Sequence, residues 1–171
     1  TGSHRIMTHG ARKPRRPRWG LTGDTMALAI HGAAKPDRAD VDQVIATIMD
    51  AHKALREGVA TELQWSVLAG SLDTARMIEK QGVVRGLHEH IASAHHALQS
   101  VYTRAKQVNP EAWRPTALRY HELDAISTFV DLHAYQIRQL SRKEFLSAIT
   151  AAVGYVRGHG NVALLTSEVA A

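Results

Sequence analysis

The stretch "VRGLHEHIASAHHALQSVYTRAKQVNP", residues 84–110, decides the fold because its apolar residues keep a helical period without interruption. Intervals of three and four alternate along it, at Val84, Leu87, Ile91, Ala94, Leu98, Val101, Ala105 and Val108. This spacing lines up one face of an α-helix. Asn109-Pro110 ends the pattern, because the residue before a proline avoids the α region. The stretch therefore predicts a helix over 84–108 with one buried face.

Upstream of this stretch the same period predicts two more helices, over 41–57 and from Thr61 to Gly82. Thr61 and Gln64 have the spacing of a capping box, as do Asp40 and Gln43. Glycines stand at both predicted C-terminal ends, where a left-handed cap belongs. Gly82 and Gly86 would alternatively lie inside one long helix over 61–108, at a cost of about 2 kcal/mol.

Downstream, a helix of about 26 residues is predicted from near Pro115 to Leu140, because a proline is tolerated in a first turn. Its apolar face carries Leu123, Ile126, Val130, His133, Ile137 and Leu140. Ser141 and Glu144 form another capping box, which predicts a fifth helix ending at "RGHG", residues 157–160.

These elements predict an all-α protein, a bundle of four to five mostly antiparallel helices with an extended basic N-terminal arm. Residues 1–39 are interpreted as a tag remnant followed by the arm, with Met7 as the start; residues 40–160 as the bundle domain; and residues 161–171 as a flexible tail. The apolar island at 25–34 is expected either to strap onto the body or to act as a linker. The long fourth helix suggests a homodimer, which light scattering would test.

Composition narrows the function classes. The chain has no cysteine, which removes disulfides and thiol catalysis and favours a cytoplasmic location. No apolar run approaches a membrane span, and no secretory signal is recognised, so no membrane association is expected. Phosphate-binding loops, nucleophile elbows and paired catalytic acids are not found. We therefore expect a protein that is not an enzyme and carries no cofactor.

The basic arm is the strongest functional signal. Five cations lie within seven residues and a tryptophan follows them: Arg12, Lys13, Arg15, Arg16, Arg18 and Trp19. Residues 1–35 carry a net charge of +6, whereas the remainder carries −1. Such a run can follow a phosphate track while the indole stacks on an unpaired base. The arm is predicted to bind DNA or RNA; an acidic protein partner is the alternative.

Histidines raise a second possibility. His88, His90, His95 and His96 crowd the central helix and are interpreted as a solvated face. On the fourth helix, His121 and Asp124 share a face, and with His133 they form a possible polar core or ligand site. His133 itself is expected to be a neutral, packed histidine whose replacement by leucine is tolerated. No metal site is predicted.

Two segments, "RKPRRPR" at 12–18 and "WRPTALRYHELDAISTFVDLHAYQIRQLSRKEFLSAI" at 113–149, carry a resemblance. Together they resemble a loose group of short helical proteins of unassigned function, encoded in phages and integrated elements of proteobacteria. The matching features are a basic Lys-Pro-Arg opening and a Leu-His pair, Leu132-His133. The resemblance covers about a third of the chain. It implies a mobile-element setting and a role as an accessory or regulatory factor, and it carries over no site residue.

Overall fold

The computed structural model describes residues 38–159, and this part of the chain folds into five α-helices with no strand. The helices are α1 (Arg38–Arg56), α2 (Glu62–Gln81), α3 (His88–Lys106), α4 (Tyr120–Gln139) and α5 (Arg142–His159). The all-α bundle predicted from the sequence is confirmed. The predicted arm and C-terminal tail lie outside the described residues.

The first four helices form an up-down-up-down ring, in which α1 packs on α2, α2 on α3, α3 on α4 and α4 on α1. Contacts between opposite ends of neighbouring helices show the antiparallel order: Lys106, at the end of α3, pairs with Glu62, at the start of α2, at 3.0 Å. α5 lies outside this ring, packed on α2, and its Ser147 contacts Gln81 at the end of α2. As a result, α2 has a neighbour on nearly every side.

The turn between α2 and α3 shows that these are two helices and not one. Gly82 adopts φ +79° and caps α2, and Gly86 adopts φ +100°, a conformation that residues with a Cβ avoid. The Glu79 carboxylate accepts the backbone N–H groups of Gly86, Leu87 and His88 at 3.0–3.1 Å. A carboxylate at this end of α3 is also favoured by the helix dipole. α3 therefore begins at His88, four residues later than its apolar period suggested.

Three of the other helix caps predicted from the sequence are present in the structure, and one is not. The Thr61–Gln64 and Ser141–Glu144 capping boxes are both formed. Gly58 (φ +73°) follows α1, and Val59 donates back to the carbonyl of Ala54, which completes a Schellman-type end. The predicted cap at Asp40 is wrong, because α1 already includes Arg38. Asp40 lies within the first turn, where its charge still suits the helix dipole.

α4 is shorter than predicted, 20 residues from Tyr120, because the preceding loop is anchored elsewhere. Trp113 donates its indole N–H to the Ala60 carbonyl at 2.7 Å, and its ring lies beside Trp65 and Tyr102. Arg119 is extended (ψ 158°) at the start of the helix. The loop over 107–119 thus covers one end of the bundle and does not extend α4.

Candidate functional site

An apolar groove of about 540 Å³ separates α1 from α5, and we call it the α1–α5 groove. Val44 and Ile48 of α1 form one wall, and Ile149 and Val156 of α5 form the other. Gly70, whose missing side chain leaves open space, lies along α2 in the groove. The volume is in the range of small-molecule and peptide-anchor sites.

Hydroxyl groups that line this groove are engaged within their own helices. Thr47, Ser71 and Thr74 each donate to the carbonyl four residues earlier, at 2.8–3.0 Å. Their hydrogen-bonding capacity is therefore largely used within α1 and α2. The lining of the groove is consequently more apolar than its composition suggests.

Asp73 is the one acidic residue among those that line the groove, and it is buried. Burial raises the pKa of its carboxyl, and Arg76, whose Nη1 lies 3.6 Å from Oδ1, opposes that rise. Asp73 was not predicted from the sequence, because a carboxylate between the apolar positions of a helix is expected at the surface. The available sequence signal was its place between Leu72 and Ala75, two apolar positions of this helix. Both of these residues are buried in the structure.

His133 also lines the α1–α5 groove, at the bottom, with only 1% of its surface exposed. Its ring stacks on Phe129 at 5.4 Å, and Nδ1 lies 2.9 Å from Oε1 of Gln136. Gln136, fully buried, donates in turn to the Ala75 carbonyl of α2 at 3.4 Å. The imidazole is thus the first member of a short polar chain that joins α4 to α2.

These contacts change the expectation for His133. Burial lowers the pKa of its imidazole to about 4, against a smaller opposite effect of the Gln136 hydrogen bond, so the ring is neutral at pH 7. A neutral, packed histidine was predicted. Replacement by leucine alone, however, would leave the buried Gln136 oxygen without its donor, which costs about 1–3 kcal/mol. We therefore expect the exchange to be tolerated only when Gln136 is made apolar as well.

The free energy of unfolding is expected to fall by up to about 3 kcal/mol as the pH drops from about 6.5 to 4, through His133. In the unfolded chain the imidazole takes up a proton near its ordinary pKa of 6.5, whereas the buried one resists until about 4. The stability that comes from keeping this ring neutral is therefore fully present above about pH 6.5 and is lost progressively as the pH falls towards 4. Urea unfolding at each pH would measure this.

The control for the pH experiment is the double variant His133→Leu/Gln136→Leu. It should lose most of the dependence in this window and retain the part due to His52, whose pKa is also lowered by burial. An unchanged pH profile in the double variant would show that His133 is not the group responsible.

A second cavity, between α3 and α4, has a more polar lining than the α1–α5 groove. His90 and His96 of α3 face His121 and Asp124 of α4 across about 470 Å³, with serine and threonine hydroxyls between them. All four side chains are exposed. Within residues 38–159, no three His, Asp or Glu side chains approach closely enough to hold a metal ion.

The predicted trio on α4 is therefore divided between two cavities. His121 and Asp124 line the polar one, whereas His133 lines the α1–α5 groove. Asp124 and His133 are nine positions apart in the sequence, which places them on opposite faces of the helix and about 14 Å apart along its axis. The three residues do not meet around one ligand.

One histidine of the central helix departs from the predicted solvated face. His95 is buried, with 5% of its surface exposed, and its ring lies edge-on to His96 at 5.8 Å. His88, His90 and His96 are exposed, as predicted. The reason lies in helical geometry, since position 95 directly follows the core residue Ala94 and shares the turn with Ile91 and Leu98.

The buried ion pair Arg104–Glu122 was also missed. Glu122 is fully buried, and both of its oxygens accept from Arg104, at 2.6 and 2.7 Å. Burial alone would raise the pKa of Glu122, but these hydrogen bonds and that of the Arg119 N–H lower it to about 2. Arg104 also donates to the Ala117 carbonyl at 3.2 Å. The pair joins α3, α4 and the loop between them.

The residues predicted to bind nucleic acid, Arg12 to Trp19, lie outside the described part of the chain. Within residues 38–159 the 14 Lys and Arg nearly balance the 13 Asp and Glu, leaving +1. None of the helices there has the length and apolar character that a bilayer crossing needs. In comparisons with protein-family models, curated proteins and solved structures, the chain matches none of them.

Proposed function

We propose that this chain is a non-enzymatic helical binding protein that contacts nucleic acid through the basic segment Arg12–Arg18, with Trp19 beside it. The observation that carries the proposal is the separation of charge. Five cations fall within seven residues of that segment, whereas the whole of 38–159 carries a net +1. Lys and Arg concentrated in this way neutralise phosphates without requiring a particular base sequence.

The charges of the helical body, residues 38–159, support the assignment of binding to the basic segment, because several of them form ion pairs with one another. Arg104 pairs with Glu122 and Lys106 with Glu62, both between elements distant in sequence. Arg76 lies beside Asp73 on the same helix. The helical body is thus proposed as a scaffold that presents the segment. The resemblance to phage and integrated-element proteins favours an accessory or regulatory role in that setting.

Neutralising the segment should abolish binding. We expect the full chain to bind a fluorescent oligonucleotide at about 50 mM salt, and the variant with Gln at positions 12, 13, 15, 16 and 18 to lose that binding. Fluorescence anisotropy would measure both proteins. Circular dichroism should be unchanged, because the substitutions leave the helical body untouched.

A matched control removes as many charges from the body. Five of the exposed cations within residues 38–159 would be replaced with Gln: Lys53, Arg56, Arg85, Arg138 and Lys143. This control should keep most of the affinity. Equal losses in the two variants would contradict a segment-based contact. A full chain that fails to bind at low salt would move the acidic-partner hypothesis ahead.

A further inference from the structure

We propose that the α1–α5 groove is the docking site of this chain's own segment Met26–Ile30. In this arrangement the side chains of Met26, Leu28 and Ile30 insert between α1 and α5. The segment lies outside the described residues. Its docking is an intramolecular contact and does not depend on nucleic-acid binding.

The groove calls for an apolar occupant. Ile48 and Ile149 line facing walls, and Val153, which also lines it, has 43% of its surface exposed. The threonine hydroxyls nearby are hydrogen-bonded within their own helices. Covering apolar surface of this kind stabilises the folded protein, because the covered surface is removed from water.

The length of chain before α1 allows the segment to reach the groove. Seven residues, 31–37, separate Ile30 from Arg38, and at full extension they span about 23 Å. Val44 and Ile48 lie six and ten residues into α1, or about 9 and 15 Å along its axis. The linker can therefore turn back beside α1 and place the segment antiparallel to it.

The pattern of the segment matches the groove better than the C-terminal residues do. From Thr25 to Ala34 there is no Asp, Glu, Lys or Arg. In an extended chain Met26, Leu28 and Ile30 fall on one side and span about 13 Å. The groove residues Ile149 to Val156 extend about 11 Å along α5. Among the C-terminal residues, the same extended spacing would put Val162 and Leu164 on one side but not Leu165.

Cysteine crosslinking in the full-length, naturally cysteine-free chain tests the proposal. Leu28→Cys would be combined with Gly70→Cys in the groove, where an added Cβ meets no atom within 4 Å. The matched control pairs Leu28→Cys with Lys80→Cys, which is exposed on the same helix but outside the groove. A short bis-maleimide is preferable to a disulfide, which demands Cα atoms within about 7 Å.

We expect the 28/70 pair to crosslink within one chain at least about tenfold faster than the 28/80 pair, since docking raises the effective concentration of the two thiols. Adding Met26→Asp and Ile30→Asp should reduce the 28/70 rate to that of the control. Val153→Cys replaces Gly70→Cys if the latter fails to fold.

Three results would overturn the docking proposal. Equal rates for the two pairs would show that the segment does not prefer the groove. Faster reaction of Leu164→Cys with Gly70→Cys would assign the groove to the C-terminal residues. Crosslinks between two chains would assign it to a second copy, which light scattering would then show as a dimer.

Discussion

Replacing Glu122 with leucine is expected to lower the free energy of unfolding by about 3 kcal/mol. The substitution leaves the Arg104 guanidinium, with only 20% of its side chain exposed, without its carboxylate. It also removes the acceptor for the Arg119 N–H at the start of α4. Urea unfolding at pH 7 would measure the loss; guanidinium chloride is unsuitable because its ions screen the interaction.

The chain offers a matched control in the second ion pair between distant elements. Glu62 pairs with Lys106 at 3.0 Å, but 48% of the Glu62 side chain is exposed. Glu62→Leu should therefore cost no more than about 1 kcal/mol. The double variant Glu122→Leu/Arg104→Leu should recover part of the loss, because no unpaired charge remains buried. Similar costs for Glu122→Leu and Glu62→Leu would refute the assigned role of the buried pair.

Raising the salt concentration from about 50 to 200 mM should weaken nucleic-acid binding several hundred-fold, if five segment cations each neutralise one phosphate. The release of five counterions gives a log–log slope of about −4.5 on duplex DNA. Anisotropy titrations of the full chain at several salt concentrations would give the slope directly. No strong preference among sequences is expected, since phosphate contacts do not read bases.

Two comparisons make this slope diagnostic. Changing Arg12 and Arg15 to Gln should reduce the magnitude of the slope by about 2, because two phosphate contacts disappear. The body variant described above should leave it nearly unchanged. A slope close to zero, or one that the segment substitutions do not alter, would argue against a phosphate track along Arg12–Arg18.

The sequence was most informative where one helix face meets the core. Alternating intervals of three and four identified all five helices, and glycine or a capping pair marked several of their ends. Prediction failed where a tertiary contact decides a local structure. Residues 115–119 stay out of α4 because Trp113 and Ala117 are held by Ala60 and Arg104. No local pattern encodes those partners.

Polar residues in the core were the harder part of the candidate site. Glu122 was passed over in favour of Leu123, which is only partly buried. A carboxylate is expected at the surface, and its burial here depends on an arginine 18 residues earlier. One sequence signal was available, because Glu122 lies three residues after Arg119. A glutamate at this spacing can accept a hydrogen bond from the backbone N–H group that precedes the first turn of the helix. The placement of His95 on a solvated face was wrong, and Asp73 was not considered, because polar side chains of both kinds are expected at the surface.

The place of α5 outside the four-helix ring bears on how the chain folds. α1 joins α2, and α2 joins α3, through short turns, so the contacts within these two pairs close small loops. The contacts of α5 with α2 span more than sixty residues, as between Gln81 and Ser147, and so do the contacts of α1 with α4 that close the ring, as between His52 and Ser127. None of the contacts that form the ring involves α5. Detaching α5 leaves the ring intact, which makes this helix a natural unit of partial unfolding, with the α1–α5 groove as the surface it exposes first.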